Sequence, residues 1–456
     1  MNLPTTIQRQ PKTFGIFFLT LLFSLGLLTS AVCAEQPPQT SLSDTVISAL
    51  EYSPRLQMLQ NNELALFHER DRARGGYFPR IDLSFGYGAE AHSDRFTRTT
   101  NTDHNFYDRL EASARLTQLL YDGKETTSMV DIEQAKLNSA AFRTFDNAEA
   151  IALDAIIAHL EVYRQRELLG LAVKNVADHE EILDKLKERQ EAGAGSIADV
   201  DQANSRLARA NASLAETRRD LRIAEANYIK VVGKQPGELV TYHTPKNIIA
   251  KNLEDALKAS LASNPKVKAL DANIEEAKRR IALSKSGFLP KIHLELSSSY
   301  EDQVESSETY EHNNQAMLRV RWNITNGGAD IADRKAATAR KFQAASSRND
   351  QQDSIIEETR ATWAELESAR SQVVSYGDAV NFSQKALDSY LKQFNVGQRT
   401  LLDVLDARNE LFQNSGLLVT AMLNETVAIQ RLLALSGQLT SSLNVEGKTY
   451  MTKLPK

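Results

Sequence analysis

Most of this sequence is a single unit written twice. Leu42, Pro54 and Pro79 recur as Leu253, Pro265 and Pro290, each 211 positions later. The neighbouring text agrees: Ser53-Pro54-Arg55-Leu56 answers to Asn264-Pro265-Lys266-Val267, and Tyr77-Phe78-Pro79-Arg80-Ile81 to Phe288-Leu289-Pro290-Lys291-Ile292. Farther on, Gly123, Gly193, Asp199, Val200 and Gly233 recur as Gly327, Gly397, Asp403, Val404 and Gly437, now 204 positions later. One seven-residue length difference between Pro79 and Gly123 accounts for the change of offset. A period held this long means two copies of one supersecondary unit. The copies are read as residues 35–240 and 241–440, with a short tail at 441–456.

What each copy contains follows from where proline is missing. The 11 prolines leave 80–235 and 291–454 empty. Compact domains of many short elements spend proline on turns, whereas long helices exclude it. Residues 124–192 hold only Gly170, and 329–394 only Gly377. Both stretches are rich in good helix formers and predict single helices of roughly 100 Å at about 1.5 Å per residue. Gly193-Ala194-Gly195 and Gly397 then mark hairpin turns into returning helices over about 196–232 and 400–436. Helices this long call for coiled-coil or helical-barrel packing.

Ahead of each long helix the period changes from 3.6 to 2. Ile81, Leu83, Phe85, Tyr87 and Ala89 alternate with Asp82, Ser84, Gly86 and Gly88, and Leu110, Ala112, Ala114 and Leu116 with Arg109, Glu111, Ser113 and Arg115. The second copy repeats this with Ile292, Leu294 and Leu296, then with Leu318, Val320, Trp322 and Ile324 against Arg319, Arg321 and Asn323. Strands are therefore expected over about 80–91, 107–120, 291–301 and 315–325, each with an apolar and a charged face. Two settings give that pattern: a soluble sheet with one wet face, or a membrane strand whose polar face lines water. Tyr87 and Trp322 stand near strand ends, where a membrane girdle would lie. Four strands fall short of the roughly eight that close a barrel, and an open edge in lipid is not tolerated. In the membrane setting the sheet must be shared with further copies, and spacing alone allows two, three or more. The polar stretches 91–106 and 302–314 are the expected exterior loops.

The N-terminus favours the membrane setting. Arg9 and Lys12 precede an apolar run from Phe14 to Leu28, and Val32-Cys33-Ala34 offers a cleavage site before Glu35. Residues 1–34 read as a signal peptide, the run being shorter than the roughly 20 residues of a spanning helix. No later stretch is read as a transmembrane helix. A Gram-negative cell envelope is the expected compartment.

Taken together, Ser53-Pro54 with Asn264-Pro265, Phe78-Pro79 with Leu289-Pro290, the corners Asp122-Gly123 and Asn326-Gly327-Gly328, and above all the turn Gly397-Gln398-Arg399-Thr400-Leu401-Leu402-Asp403-Val404-Leu405-Asp406-Ala407 resemble the TolC-like outer-membrane efflux and secretion channels. The resemblance covers nearly the whole chain after residue 34. It implies a mainly α fold with a β-barrel portion: a homotrimer with a 12-stranded outer-membrane barrel continued by a periplasmic α-helical barrel. It implies a channel-tunnel working with a periplasmic adaptor and an inner-membrane pump. The stretch from Gly397 to Phe412 looks most like the protein-secreting branch, whose pump is an ABC transporter; a duct for multidrug or small-molecule efflux is the alternative.

The same resemblance assigns a gate. Asp403 and Asp406 match the pair lining the periplasmic constriction. Three apart on a helix, they share a face, and three copies would form a ring of carboxylates that attracts cations and crowds some of their pKa values upward. Arg399 and Phe394 match positions that latch neighbouring hairpins shut, and Asp199 matches their partner on the other hairpin. The family often carries tyrosine in place of Phe394, so one phenolic hydrogen bond is missing here. A plainer reading competes: Thr400-x-x-Asp403 and Ser196-x-x-Asp199 resemble capping boxes, which accounts fully for Asp199 and largely for Asp403, but not for Asp406.

Enzyme readings find little. The eight histidines are scattered, and the nearest approach to HExxH, His179-Glu180, has Leu183 where the second histidine belongs. P-loop, GxSxG and GxGxxG patterns are absent, and one cysteine cannot build a cysteine zinc site. A net charge of −5 argues against a nucleic-acid partner. No cofactor or metal is expected.

Overall fold

The computed structural model describes residues 39–240, 250–304, 310–445 and 447–454. The expected leader and the middle of the 302–314 loop lie outside them. The elements in chain order are β1 (Gln39–Thr40), α1 (Leu42–Tyr52), α2 (Pro54–Arg74), β2 (Arg80–Glu90), α3 (Arg95–Thr100), β3 (Tyr107–Tyr121), α4 (Glu125–Glu191), α5 (Ile197–Val232), β4 (Glu238–Leu239), α6 (Leu253–Ser263), α7 (Pro265–Ser286), β5 (Lys291–Asp302), β6 (Tyr310–Arg321), α8 (Ala329–Asn395), α9 (Leu401–Leu435) and α10 (Leu439–Ser442). The duplication is explicit: α4 and α8 have 67 residues each, α5 has 36 and α9 has 35.

The repeated dipeptides are helix starts. Ser53 Oγ accepts from Leu56 N, and Asn264 Oδ1 from Lys266 N and Val267 N. Pro54 and Pro265 sit just inside their helices, where a missing N–H costs nothing. At the other end of each strand pair the chain must re-enter a helix. Asp122 caps that entry, accepting from Glu125 N at 3.1 Å and Thr126 N at 2.7 Å.

The four long strands form one antiparallel sheet in the order β2-β3-β5-β6, so the two copies join through β3 and β5. The sheet's apolar face carries Ile81, Leu83, Phe85 and Tyr87 opposite Leu116, Ala114, Ala112 and Leu110, then Leu296 and Leu294 opposite Ala316 and Leu318. β6 departs from the expected 315–325. It begins at Tyr310 because Asp302, the last residue of β5, pairs with it, and it ends at Arg321 because its partner Lys291 is the first residue of β5 and the preceding Pro290 has no N–H to offer. Trp322 and Ile324 thus lie just past the strand.

Around the long helices, α4 packs on α2, α5, α7 and α9, while α8 packs on α7 and α9. The main core gathers Val46, Ile156, Leu160, Tyr228, Leu366 and Leu439 among others. α9 corrects the reading that no later stretch suits a membrane: its length and composition pass that test, with a window of mean hydropathy 1.3. Its leucines instead enter the helical core, Leu432 and Leu433 at one end and Leu401 and Leu405 at the other. The C-terminal tail is also core. Leu439 N and Thr440 N donate to the buried Glu149 at 2.8 and 3.1 Å, Thr452 Oγ1 donates to Glu63 at 2.7 Å, and Tyr450 stacks on Phe145.

Candidate functional site: a two-faced sheet and a pinned hairpin tip

The sheet separates lipid-like from water-like chemistry. Leu83 and Phe85 are 78% and 75% exposed, and Leu318 and Val320 on β6 are also open. A soluble sheet does not leave such a row uncovered. The opposite face is ionic: Arg109 reaches Glu90 at 2.7 Å and also pairs with Glu111, Arg319 donates to Glu295 at 2.8 Å, and Ser84 and Ser113 lie 2.7 Å apart. Glu111, Glu301 and Glu311 stand directly opposite one another across three strands. β2 has 11 residues, enough at about 3.4 Å each and the usual tilt to cross an apolar band of about 25 Å. Tyr87 lies toward the loop end of the apolar face, and Trp322 at the helix end, where its Nε1 donates to Phe288 O at 3.2 Å. Among the described residues, neither the outer edge of β2 nor that of β6 has a strand partner.

At the far ends of the long helices stand the two hairpin turns. Gly193 (φ 74°) and Gly397 (φ 80°) occupy left-handed backbone, and Ala194 N and Gln398 N bond back to Arg189 O and Gln393 O. Such a helix ending suits glycine. Gly195 has a different constraint, since a Cβ there would sit 2.9 Å from Gln190 N.

The tip is held by a small core of its own. Ile182, Leu183 and Leu186 of α4, Ala203 of α5, Leu387 of α8, and Leu401, Val404 and Leu405 of α9 pack together, with Phe394 and Tyr390 half-buried against them. Within this frame the predicted gate residues separate. Asp403 closes a capping box: Thr400 N and Oγ1 donate to Oδ2 at 3.0 and 2.9 Å, and Asp403 N donates to Thr400 Oγ1 at 3.2 Å. Within the protomer, the backbone and hydroxyl bonds from Thr400, with Arg399 nearby, hold its carboxyl below the ordinary value of 3.8. Asp406, one turn deeper, is bound bidentately by Arg206 of α5. Asp199 does not close a box, since Ser196 Oγ accepts from Ala198 N. Among the described residues Asp199 has no polar partner within the protomer.

Arg399 donates to Gln393 Oε1 at 3.1 Å, lies 3.9 Å from Asp403, and stacks 4.3 Å over Tyr390. Phe394 is a packing residue, capped at 5.9 Å by Arg189. The structure therefore brings Arg399, Asp403 and Phe394 to one tip, and leaves Asp199 unlinked to them within the protomer. It also adds residues that the sequence reading missed. Arg206 links α5 to α9, and Arg408 of α9 links to Asp178 and Glu181 of α4 at 2.5 and 3.3 Å. The only sequence signal for these is unmatched charge on helix faces otherwise lined with alanine and leucine. Among the described residues, no three of His, Cys, Asp and Glu gather closely enough to hold a metal.

A strand sheet with a lipid-like face and an ionic face, carried on paired 67-residue helices, is the fold of an outer-membrane channel subunit, and the family match bears that class out. The model for the outer membrane efflux protein family matches residues 46–234 and 256–438, and this chain belongs to that family. The outer membrane efflux protein BepC of Brucella suis is 28% identical over 88% of this chain and 87% of its own length. The outer membrane protein TolC of Vibrio cholerae is 23% identical over 91% and 94%, and the alkaline protease secretion protein AprF of Pseudomonas aeruginosa 23% over 93% and 88%. Among solved structures, the Campylobacter jejuni CmeC outer membrane channel superposes with a TM-score of 0.74 at 12% identity, over 87% of this chain and 86% of its own. The protein resides in the outer membrane and extends into the periplasm. Its family is one of channel proteins rather than enzymes.

Proposed function

We propose that three copies of this chain close a 12-stranded barrel, β6 of each beside β2 of the next, and form the exit duct of an envelope-spanning export machine. The observation that carries this is the pair of edges left unpartnered among the described residues, on a sheet with an exposed apolar face, since lipid admits no open edge. Tyr87 and Trp322 then fall at the two membrane interfaces. The hairpin tips form the periplasmic entrance, with Asp403 and Asp406 at its constriction and Asp199 free to meet a neighbouring hairpin. A periplasmic adaptor and an inner-membrane pump complete the route.

For the cargo we infer type I protein secretion driven by an ABC transporter. The stretch Gly397–Phe412 and the likeness to a protein named for protease secretion support this. Small-molecule efflux is the second reading, supported by the higher identity to a protein named for efflux. Quantitative proteomics of secreted and surface fractions, comparing a deletion strain with its parent, separates them. Loss of one or a few large proteins supports secretion; an unchanged profile with the parent's cargo expressed supports efflux. For the constriction, Asp403→Ala with Asp406→Ala is expected to lower cation selectivity in planar bilayers. An unchanged reversal potential in a salt gradient removes these two residues from the selectivity determinant.

A further inference from the structure

His179 is the group at the tip that the gate just described does not use. It lies on α4, is 5% exposed, and its Nδ1 is buried without a hydrogen-bond partner. The charged groups facing it are Asp178 on α4 itself, Arg206 from α5 and Arg408 from α9. Both arginines are already committed across helices: Arg206 holds Asp406, and Arg408 holds Asp178 and Glu181. The ring therefore lies within electrostatic reach of both ion pairs, the one that pins α5 to α9 and the one that pins α9 to α4.

From this placement we infer that His179 is a proton sensor built into the hairpin tip, and that mild acid loosens the two arginine links and favours the open entrance. The inference rests on the channel reading. A neutral imidazole is tolerated beside two guanidiniums, whereas an imidazolium is a third cation there, and Asp178, the carboxylate facing it, is already bound to Arg408. The nearest relief is for the hairpins to part, admitting water and releasing Asp406 and Asp178. The sign agrees. Burial first, then Arg206 and Arg408, push the imidazole below its ordinary value of 6.5, against a smaller upward pull from Asp178. A base depressed in this way supports the pinned state above that value, and the support is lost as pH falls through its lowered pKa. The capping carboxylate Asp403, held below 3.8, stays ionised across this window and does not produce the same response.

The test places spin labels at Ile197→Cys and Val396→Cys, the exposed residues beside the two turns, in the full-length purified protein. Distances are recorded at about pH 7.5 and about pH 5.5, which bracket ordinary histidine titration. The parent is expected to shift its distribution several-fold toward longer distances at the lower pH. His179→Gln, neutral at both, is expected not to respond, and His179→Lys to show the longer distances at both. A response in His179→Gln equal to the parent's, or none in the parent, overturns the inference. Conductance of the same samples keeps the two readings apart. A conducting protein whose tips do not move with pH refutes only the sensor, and tips that move in a protein that never conducts refute only the channel.

Discussion

The two hairpin tips carry the same pattern, Ser196-x-x-Asp199 and Thr400-x-x-Asp403, and use it differently. At the second tip the aspartate turns back on its own helix and completes a reciprocal box with Thr400. At the first, Ser196 caps alone through Ala198 N, and Asp199 is left with no polar partner among the described residues. One carboxylate is spent on helix initiation and the other is kept available. The two arginine links sharpen the contrast, since both converge on α9: Arg206 reaches over from α5 to Asp406, and Arg408 reaches out to α4. The second tip is thus fastened by its own chain, while the first presents a free acid. A duplicated sequence can diverge in role through which acceptor its acids choose.

The comparison can be broken most forcefully at the turns. Gly195→Val places a Cβ against the Gln190 backbone and is expected to cost the first hairpin about 2 kcal/mol. Gly397→Ala meets open space and pays only the left-handed strain of about 1 kcal/mol. Amide exchange of the tip peptides reads both, and equal protection losses would contradict the contact at Gly195. Next comes the cap. Thr400→Ala is expected to cost about 1 kcal/mol of local opening free energy, and Ser196→Ala about half that, because only Thr400 anchors a box. The Asp403 part of that box has a pH signature: its lowered pKa supports the cap above 3.8, and the support is lost as pH falls through the folded-state value. Exchange protection at the second tip should fade with acid in the parent and lose that dependence in Thr400→Ala. The smallest effect is the coupling of Arg206 to Asp406. With Asp406 62% exposed, a double-mutant cycle is expected to return about 0.5 kcal/mol after solvent screening. Strict additivity would mean that the pair does not fasten α5 to α9.

Local chemistry explains how much was legible in advance. Helix lengths, the turn glycines and the Ser-Pro and Asn-Pro starts depend on residues close in sequence: α4 and α8 occupy proline-free spans, and Gly193 and Gly397 mark the turns that follow them. β6 departs from its expected span, because pairing with β5 and not its own alternation sets its bounds. The candidate site was half legible. Asp403 in its box is a three-residue affair, whereas Arg206 meets Asp406 across 200 positions and depends on how two helices are rotated about their axes. The aromatic that Arg399 covers is Tyr390 and not Phe394, a choice made by helix phase at the end of α8.

α4 and α8 mark the same boundary on a larger scale. Both are 67 residues long and similarly composed. α4 is buried along much of its length, with Ala152, Ile156 and Leu160 enclosed, while α8 leaves Phe342, Val374 and Phe382 open. The sequence alone determined that there are two long helical hairpins, each with a strand pair having one apolar and one ionic face, because periodicity and breakers act within a few residues. Only the tertiary structure decided that α4 lies inside the protomer and α8 on its flank, that β3 meets β5 and leaves β2 and β6 as edges, and that two arginines pin the tip. Those outcomes depend on how distant surfaces fit together, which no local pattern encodes.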